Sequence, residues 1–294
     1  VSAIPINQKD QQLRRRELFG KLMLVVLFLA TASAVIVLGV LLWDIFQDGW
    51  SWLSRSFLTD LPSRRPEEAG IRPGLIGSLW IMGLTALFTF PLGVGAAIYL
   101  EEFAPRNALT STIRTNISNL AGVPSIVYGL LGLFAFVTLL GLGPTILAGA
   151  LTMTLLVLPV VIIASLEAIR AVPDSLRQAG LALGATRLQV TFAHIFPAAL
   201  PGILTGTILA LSRAIGEAAP LIVVGAVAYM TFTPDGLDSR FSVLPLQIFD
   251  WAGRPQADFH ALASAGIIVL LGILLSMNAI AILLRNYFQK RQNW

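Results

Sequence analysis

The chain of 294 residues has no cysteine, two histidines and three lysines, and only 12% of its residues are charged. Without cysteine there is no disulfide, no thiolate nucleophile and no thiolate metal site. Two histidines, His194 and His260, make a histidine-rich metal site within one chain unexpected, and no metal ligand set is assigned. The three lysines, Lys9, Lys21 and Lys290, bear on nucleotide chemistry. A phosphate-cradling G-x-x-x-x-G-K-[ST] loop needs glycines for its tight turn and a lysine for the phosphates. The nearest candidate, Gly20-Lys21, has Arg15 where the first glycine must stand. ATP hydrolysis by this chain is therefore not expected, and no catalytic residue is assigned.

What is abundant is apolar. Hydrophobic residues make up 56% of the chain and the mean hydropathy is +0.79. Soluble domains carry about 25% charged residues, so a chain this poor in charge cannot cover itself in water, and the bilayer is the alternative solvent. The net charge of +4 is read as basic residues holding cytoplasmic loops in place. No basic-aromatic motif supports nucleic acid as a partner.

A helix needs roughly 20 apolar residues to cross hydrocarbon. Charge-free runs cover 22–43, 73–100, 115–166 and 259–284, and the third is long enough for two helices split by the turn Gly141-Leu142-Gly143-Pro144. A further span is required between 197 and 228, giving an all-α integral membrane protein of six transmembrane helices. The first run is too long for a signal-peptide core and is followed by Trp43-Asp44 rather than small residues, so a retained helix is expected. With the N-terminus inside, the inner segments hold thirteen Lys and Arg and the outer ones six. This bias places both termini in the cytoplasm. In the outer segment 44–72, Trp50, Trp52 and Phe57 suggest an interfacial stretch, and 235–260, with Phe249 and Trp251, suggests a short surface helix. Glu67-Glu68 and Glu101-Glu102 read as solvated loop charges. The chain divides into a tail, first helix and outer loop at 1–69 and a five-helix core at 70–294.

The inner segment 167–197 has helix grammar. Asp174 is placed to cap a helix whose Leu176, Ala179 and Leu183 form a narrow apolar face, Gly184 suits the left-handed residue after it, and a second helix can start at Thr186 and run toward Pro197. Such a helix-glycine-helix presents a ridge to a partner groove, or is an ordinary amphipathic interfacial loop.

Within the apolar run 197–228 stand Arg213 and Glu217. Arg213 lies 13 residues past Leu200, about 20 Å along a helix, and a charge there costs on the order of 2.5–3.5 kcal/mol. Glu217, four residues on, is positioned for an ion pair on the same helical face. The two either neutralise one another and fix packing, or line a pathway. A guanidinium matches phosphate oxygens in a bidentate way. Ser125 and Tyr128 are weaker pathway candidates beside Pro124, which can break its helix and free backbone groups. Helix packing is the alternative for them. Gly202, Gly206 and Gly216 suit close helix approach.

Three stretches resemble a known family. Gln178-Ala179-Gly180, Gly184 and His194-Ile195-Phe196-Pro197 match the spacing of the EAA loop of ABC-importer permeases. The acidic residue, the second alanine and the isoleucine of that pattern are replaced. LAGVPSIVYGLLGL at 120–133 is similar to the third-span signature of phosphate-specific transport permeases. PAALPGILTGTILALSRAIGEAAPLI at 197–222 looks like the fifth span of their PstA-type subunits. The resemblance implies a type I ABC importer (MetI-like) permease fold in the bacterial inner membrane, multi-pass, carrying inorganic phosphate. The implied partners are a homologous PstC-type permease, a dimeric PstB-type ATPase that binds ATP-Mg, and a PstS-type binding protein, besides membrane lipid. No cofactor is implied in this chain itself. The coupling helix falls at about 174–186, with Leu176, Gln178, Ala179, Gly180, Leu183 and Gly184 as the coupling element. Arg213 and Glu217 match an R-A-x-G-E stretch implicated in transport. Alternatives are a permease for sulfate, molybdate or another small solute, a membrane enzyme, or a structural subunit.

Overall fold

A computed structural model of the chain describes residues 6–290. The first five residues of the expected inner N-terminal tail and the last four of the inner C-terminal segment lie outside the described residues. Twelve α-helices follow in chain order, and the described residues include no strand. They are α1 (Ile6–Trp50), α2 (Arg55–Thr59), α3 (Arg72–Ile98), α4 (Ala108–Leu120), α5 (Ser125–Gly132) and α6 (Ile146–Arg170). The second half has α7 (Asp174–Ala182), α8 (Arg187–Val190), α9 (Phe196–Ala214), α10 (Ala219–Val224), α11 (Leu244–Ala252) and α12 (Ala257–Lys290). Three of them, α3, α5 and α8, continue into π turns at Tyr99–Phe103, Leu133–Leu139 and Thr191–Ile195.

Five helices are long and apolar enough to cross a membrane, and α4 with the extended α5 makes a sixth span bent by 104°. Helices are forced on these segments because lipid offers no hydrogen-bond partner to the backbone. Four of the expected spans and the Gly141-to-Pro144 turn are found, Gly141 and Gly143 having φ of +66° and +68°. Two boundaries differ. The fifth span does not begin at Pro197: it runs unbroken from Arg187 to Ala214, because the π turn carries α8 directly into α9. The third begins at Ala108 rather than at 115, and Pro124 breaks it as its position suggested, starting α5 in a new direction.

The bundle centres on α6, which packs on α3 and on α9. The α9 contact is close because Gly202 and Gly206 face Ala168 and Ala164: a Cβ on either glycine would stand 2.9 Å or 2.4 Å from the alanine Cβ. Gly216 makes no such approach: a Cβ there would meet only the Arg213 carbonyl, at 3.8 Å. At the N-terminal end of α6, the first N–H groups have no intrahelical acceptor. Ile146 and Leu147 donate instead to the carbonyls of Ser239 and Leu237, which fixes the loop before α11 over the bundle.

The segments 44–72 and 235–260 pack against the bundle rather than lying flat on an interface. Phe57, expected among interfacial aromatics, is 3% exposed and sits against Trp251 with ring centroids 6.0 Å apart. The expected helix in 235–260 is α11, with Trp251 buried and Phe249 facing out. Among the described residues, the first helix, α1, packs chiefly on α12 and otherwise presents apolar side chains outward.

The α6–α9 contact yields a prediction. Gly206→Ala forces two helix backbones apart and costs roughly 1–3 kcal/mol. Gly83→Ala, with nothing within 4 Å of its Cβ, gains up to about 1 kcal/mol of helix propensity. Thermal unfolding in detergent, followed by size-exclusion chromatography, is expected to show a lower midpoint for the first variant and no loss for the second.

Candidate functional site

Counting on in the antiparallel register set by Ala168–Gly202 and Ala164–Gly206 brings Val160 and Val157 level with Ala210 and Arg213. All four line one cavity of about 260 Å³, together with Ala121 to Ser125, Tyr128, Leu156, Ala214 and Glu217. Leu156 to Val160 are the middle of the 25-residue α6, a helix of about 37 Å at 1.5 Å per residue. The cavity therefore lies near mid-depth of the bundle.

The structure gathers all four pathway candidates, Arg213, Glu217, Ser125 and Tyr128, at this cavity. It corrects how two of them relate. The α9 helix stops at Ala214, so Glu217 is not one turn further along the same helix and the expected i, i+4 ion pair does not form. Among the described residues, neither side chain has an ion pair or hydrogen bond. Arg213 occupies the last turn of α9, where the partial negative charge of the carbonyl end favours a cation. Its side chain is exposed in the single chain, and Glu217 is half-buried.

The other wall is the bend. The last turn of α4 closes with Gly122 and Val123 donating to Asn119 and Leu120 carbonyls. Pro124, which has no N–H and a fixed φ, then redirects the chain into α5. The first N–H groups of α5, beginning at Ser125, carry that helix's partial positive charge into the cavity. Tyr128 is buried, and its hydroxyl donates to the Leu120 carbonyl at 2.8 Å. It thus straps α5 to α4 across the bend while lining the cavity. Gly129 lets α10 approach, since a Cβ there would meet Pro220 Cα at 2.8 Å.

At the other end of α6 the segment 174–197 folds as a helix-glycine-helix. Gly184 has φ +83°, a conformation that favours glycine. Thr186 caps α8 through a reciprocal box with Gln189. Asp174 does not cap α7. It is the first helical residue, and its carboxylate pairs with Arg177 at 2.9 Å. Leu183 is 89% exposed, and Leu176, Gln178, Ala179, Leu181 and Gly184 are exposed as well. Gly180 faces inward: a Cβ would stand 2.7 Å from Val190 Cγ2. It lets α7 fold against α8 and is not part of the exposed ridge.

Glu101 and Glu102 are not solvated loop charges. Glu101 accepts from Arg114 at 2.6 Å and from Arg170 at 3.1 Å. Glu102 accepts from Arg177 at 2.9 Å, and its side chain is only 11% exposed. Arg177 also donates to the carbonyls of Ile169 and Val172, closing the C-terminal end of α6. Sequence reasoning missed this cluster because its members are distant along the chain. One signal was available: Arg170, Asp174 and Arg177 recur at helical spacing opposite two adjacent acids on the same side of the membrane. Glu67 and Glu68 are exposed as expected.

Comparison with known proteins gives a consistent result. Residues 89–293 match the family described as binding-protein-dependent transport system inner membrane component. A probable ABC transporter permease, YqgI of Bacillus subtilis, is 39% identical over 86% of this chain and 90% of its own length. The phosphate transport system permease PstA 1 of Mycobacterium tuberculosis is 31% identical over 98% of this chain and 95% of its own length. Among solved structures, the inward-facing MetNI methionine ABC transporter aligns with a TM-score of 0.60 at 18% identity, covering 73% of this chain and 94% of that one. A bacterial alginate ABC transporter aligns with a TM-score of 0.58 at 17% identity over 94% of this chain and 96% of its own. These two establish the MetI-like fold alone. The chain therefore belongs to the binding-protein-dependent inner membrane permeases of ABC transporters, in their PstA-type branch.

Proposed function

We propose that this chain is the permease subunit of an ATP-driven importer of inorganic phosphate, and that it is a transport subunit without catalytic activity of its own. The observation that carries the reading is Arg213: a permanent cation without an ion-pair partner among the described residues, at a mid-depth cavity whose opposite wall is the N-terminal end of a helix. Both features attract an anion, and a guanidinium offers paired donors to phosphate oxygens. Glu217 on the same cavity opposes tight binding, which suits a site that must release its ion. Ser125 supplies a hydroxyl at the helix start. The relatives named as phosphate transport permeases support phosphate over other oxyanions.

The cavity is formed by one chain and Arg213 is exposed in it, which suits completion by a second permease of PstC type across a shared pathway. The ridge of Leu176, Gln178, Ala179 and Leu181 on α7, continued by Leu183 and Gly184 just past its end, is the surface offered to a PstB-type ATPase. The ATPase binds ATP-Mg, and a PstS-type protein delivers phosphate from outside. Both termini then lie in the cytoplasm of a bacterial cell, on the same side of the inner membrane as α7. A sulfate or molybdate importer is the second reading, since a guanidinium beside a helix N-terminus fits any tetrahedral oxyanion.

In the reconstituted complex, Arg213→Gln is expected to lower ATP-dependent phosphate uptake roughly 10–100-fold, the loss of a charge-assisted bond of about 1.5–3 kcal/mol. Arg213→Lys is expected to retain part of it. Uptake at the parent rate by the assembled Gln variant contradicts a pathway role, and stronger competition by sulfate than by phosphate assigns the other substrate. Leu183→Asp places a charge on the highly exposed leucine just past the end of α7 and is expected to abolish co-purification of the ATPase while leaving the permease folded by size-exclusion chromatography.

A further inference from the structure

The α7 helix is attached to the rest of the chain unevenly. It packs on α8 and on the π turn after it. Toward the end of α3 it faces an open groove of about 880 Å³ lined by Glu101 to Arg106 on one side and by Asp174, Arg177 and Leu181 on the other. The Arg177 guanidinium bridges that groove to Glu102 through two nitrogens, at 3.0 and 2.9 Å. The neighbouring Glu101 joins Arg170 at the end of α6 to Arg114 on α4. Arg114 also donates to the Leu100 carbonyl. The side chains are largely withdrawn from water, with exposures of 11% for Glu102, 20% for Arg177, 19% for Glu101 and 26% for Arg114. Such pairs are screened less than surface ones, and breaking one strands its partner.

Arg114 is six residues from Leu120, about 9 Å along α4. Leu120 is where α4 ends, and its carbonyl holds the Tyr128 hydroxyl at the cavity. Two sets of charge pairs, joined through the adjacent residues Glu101 and Glu102, and the helix α4 therefore run from α7 to the bend that forms the cavity wall.

We infer that Glu101 and Glu102 are positioning residues that transmit displacement of α7 through Arg177 and Arg114 to the α4–α5 bend, and so set access to the Arg213 cavity. This rests on the reading that α7 receives the stroke of an ATPase. Neither acid touches the transported ion. Their part is to make α7 and α4 move together, because separating the pairs would leave buried charges uncompensated. An α7 held by apolar packing on α8 alone would move without carrying α4.

The absence of cysteine allows a direct test. Gly122 lines the cavity and is exposed, and a Cβ there meets nothing closer than the Asn119 carbonyl at 3.5 Å. In the assembled complex, Gly122→Cys is labelled with a water-soluble maleimide with and without ATP. The parent is expected to change its labelling rate several-fold with nucleotide. Glu102→Arg or Arg177→Glu is expected to abolish that change while ATP hydrolysis continues, and the double exchange to restore it. Glu101→Gln, which leaves the Arg177–Glu102 pair in place, is expected to reduce the response and serves where an exchange disrupts assembly. A full nucleotide response in the assembled single variants overturns the inference, as does a parent whose labelling ignores nucleotide while ATP is hydrolysed. No phosphate is present in the assay, so a chain carrying another oxyanion gives the same labelling, and the transport reading fails or stands separately.

Discussion

A guanidinium at mid-depth of a lipid-embedded bundle must be solvated by something other than lipid. Its insertion costs on the order of 2.5–3.5 kcal/mol at a helix centre, and the arrangement around Arg213 answers that cost locally. The α9 helix ends within one residue of it, so the carbonyl end of the helix faces the charge. A cavity of about 260 Å³ opens beside it, bounded by a hydroxyl, a phenol and a carboxylate. The i, i+4 pair that would neutralise the arginine within one helix is lost by that same helix ending. The result is a cation next to open space, which is what an anion pathway needs and a packing device does not.

The second constraint is the bend. A proline removes one donor and fixes one dihedral, and here that turns the chain by 104° between α4 and α5. Irregular backbone at this depth is tolerated where it lines a cavity or is buried in protein, and the bend does line one. Its rigidity comes from the Tyr128 hydroxyl on the Leu120 carbonyl and from Gly129 and Gly132. These glycines bring α10 and α6 so close that a Cβ on Gly132 would stand 2.0 Å from Thr152 Oγ1. The cavity wall and the α7 end of the bundle thus share α4 and α6 as common supports.

Much of this was legible in the sequence. Apolar runs of bilayer length gave the spans, since hydrocarbon leaves the backbone no other option. Gly184 and Thr186 announced the helix-glycine-helix through local rules of chirality and capping, although Asp174 proved to be the first helical residue rather than the cap. Arg213, Ser125 and Tyr128 were found because each is polar where polarity is costly. What was not legible depended on contacts between distant segments. Where α9 would stop decided the fate of the Arg213–Glu217 pair, and no residue between Arg213 and Glu217 is a strong helix breaker apart from Gly216. Glu101 and Glu102 looked solvated because their partners lie 13, 69 and 75 residues away. Phe57 looked interfacial because its partner, Trp251, is on the far side of the chain.

The central claim is that Arg213 faces water and an anion rather than lipid or dry protein. The most direct measurement is the reactivity of Arg213→Cys, in the otherwise cysteine-free chain and the complete complex, toward a charged, membrane-impermeant thiol reagent. The account predicts modification from the aqueous phase in at least one nucleotide state. A thiol that reacts only with lipid-soluble reagents, or with none in any state, would contradict it.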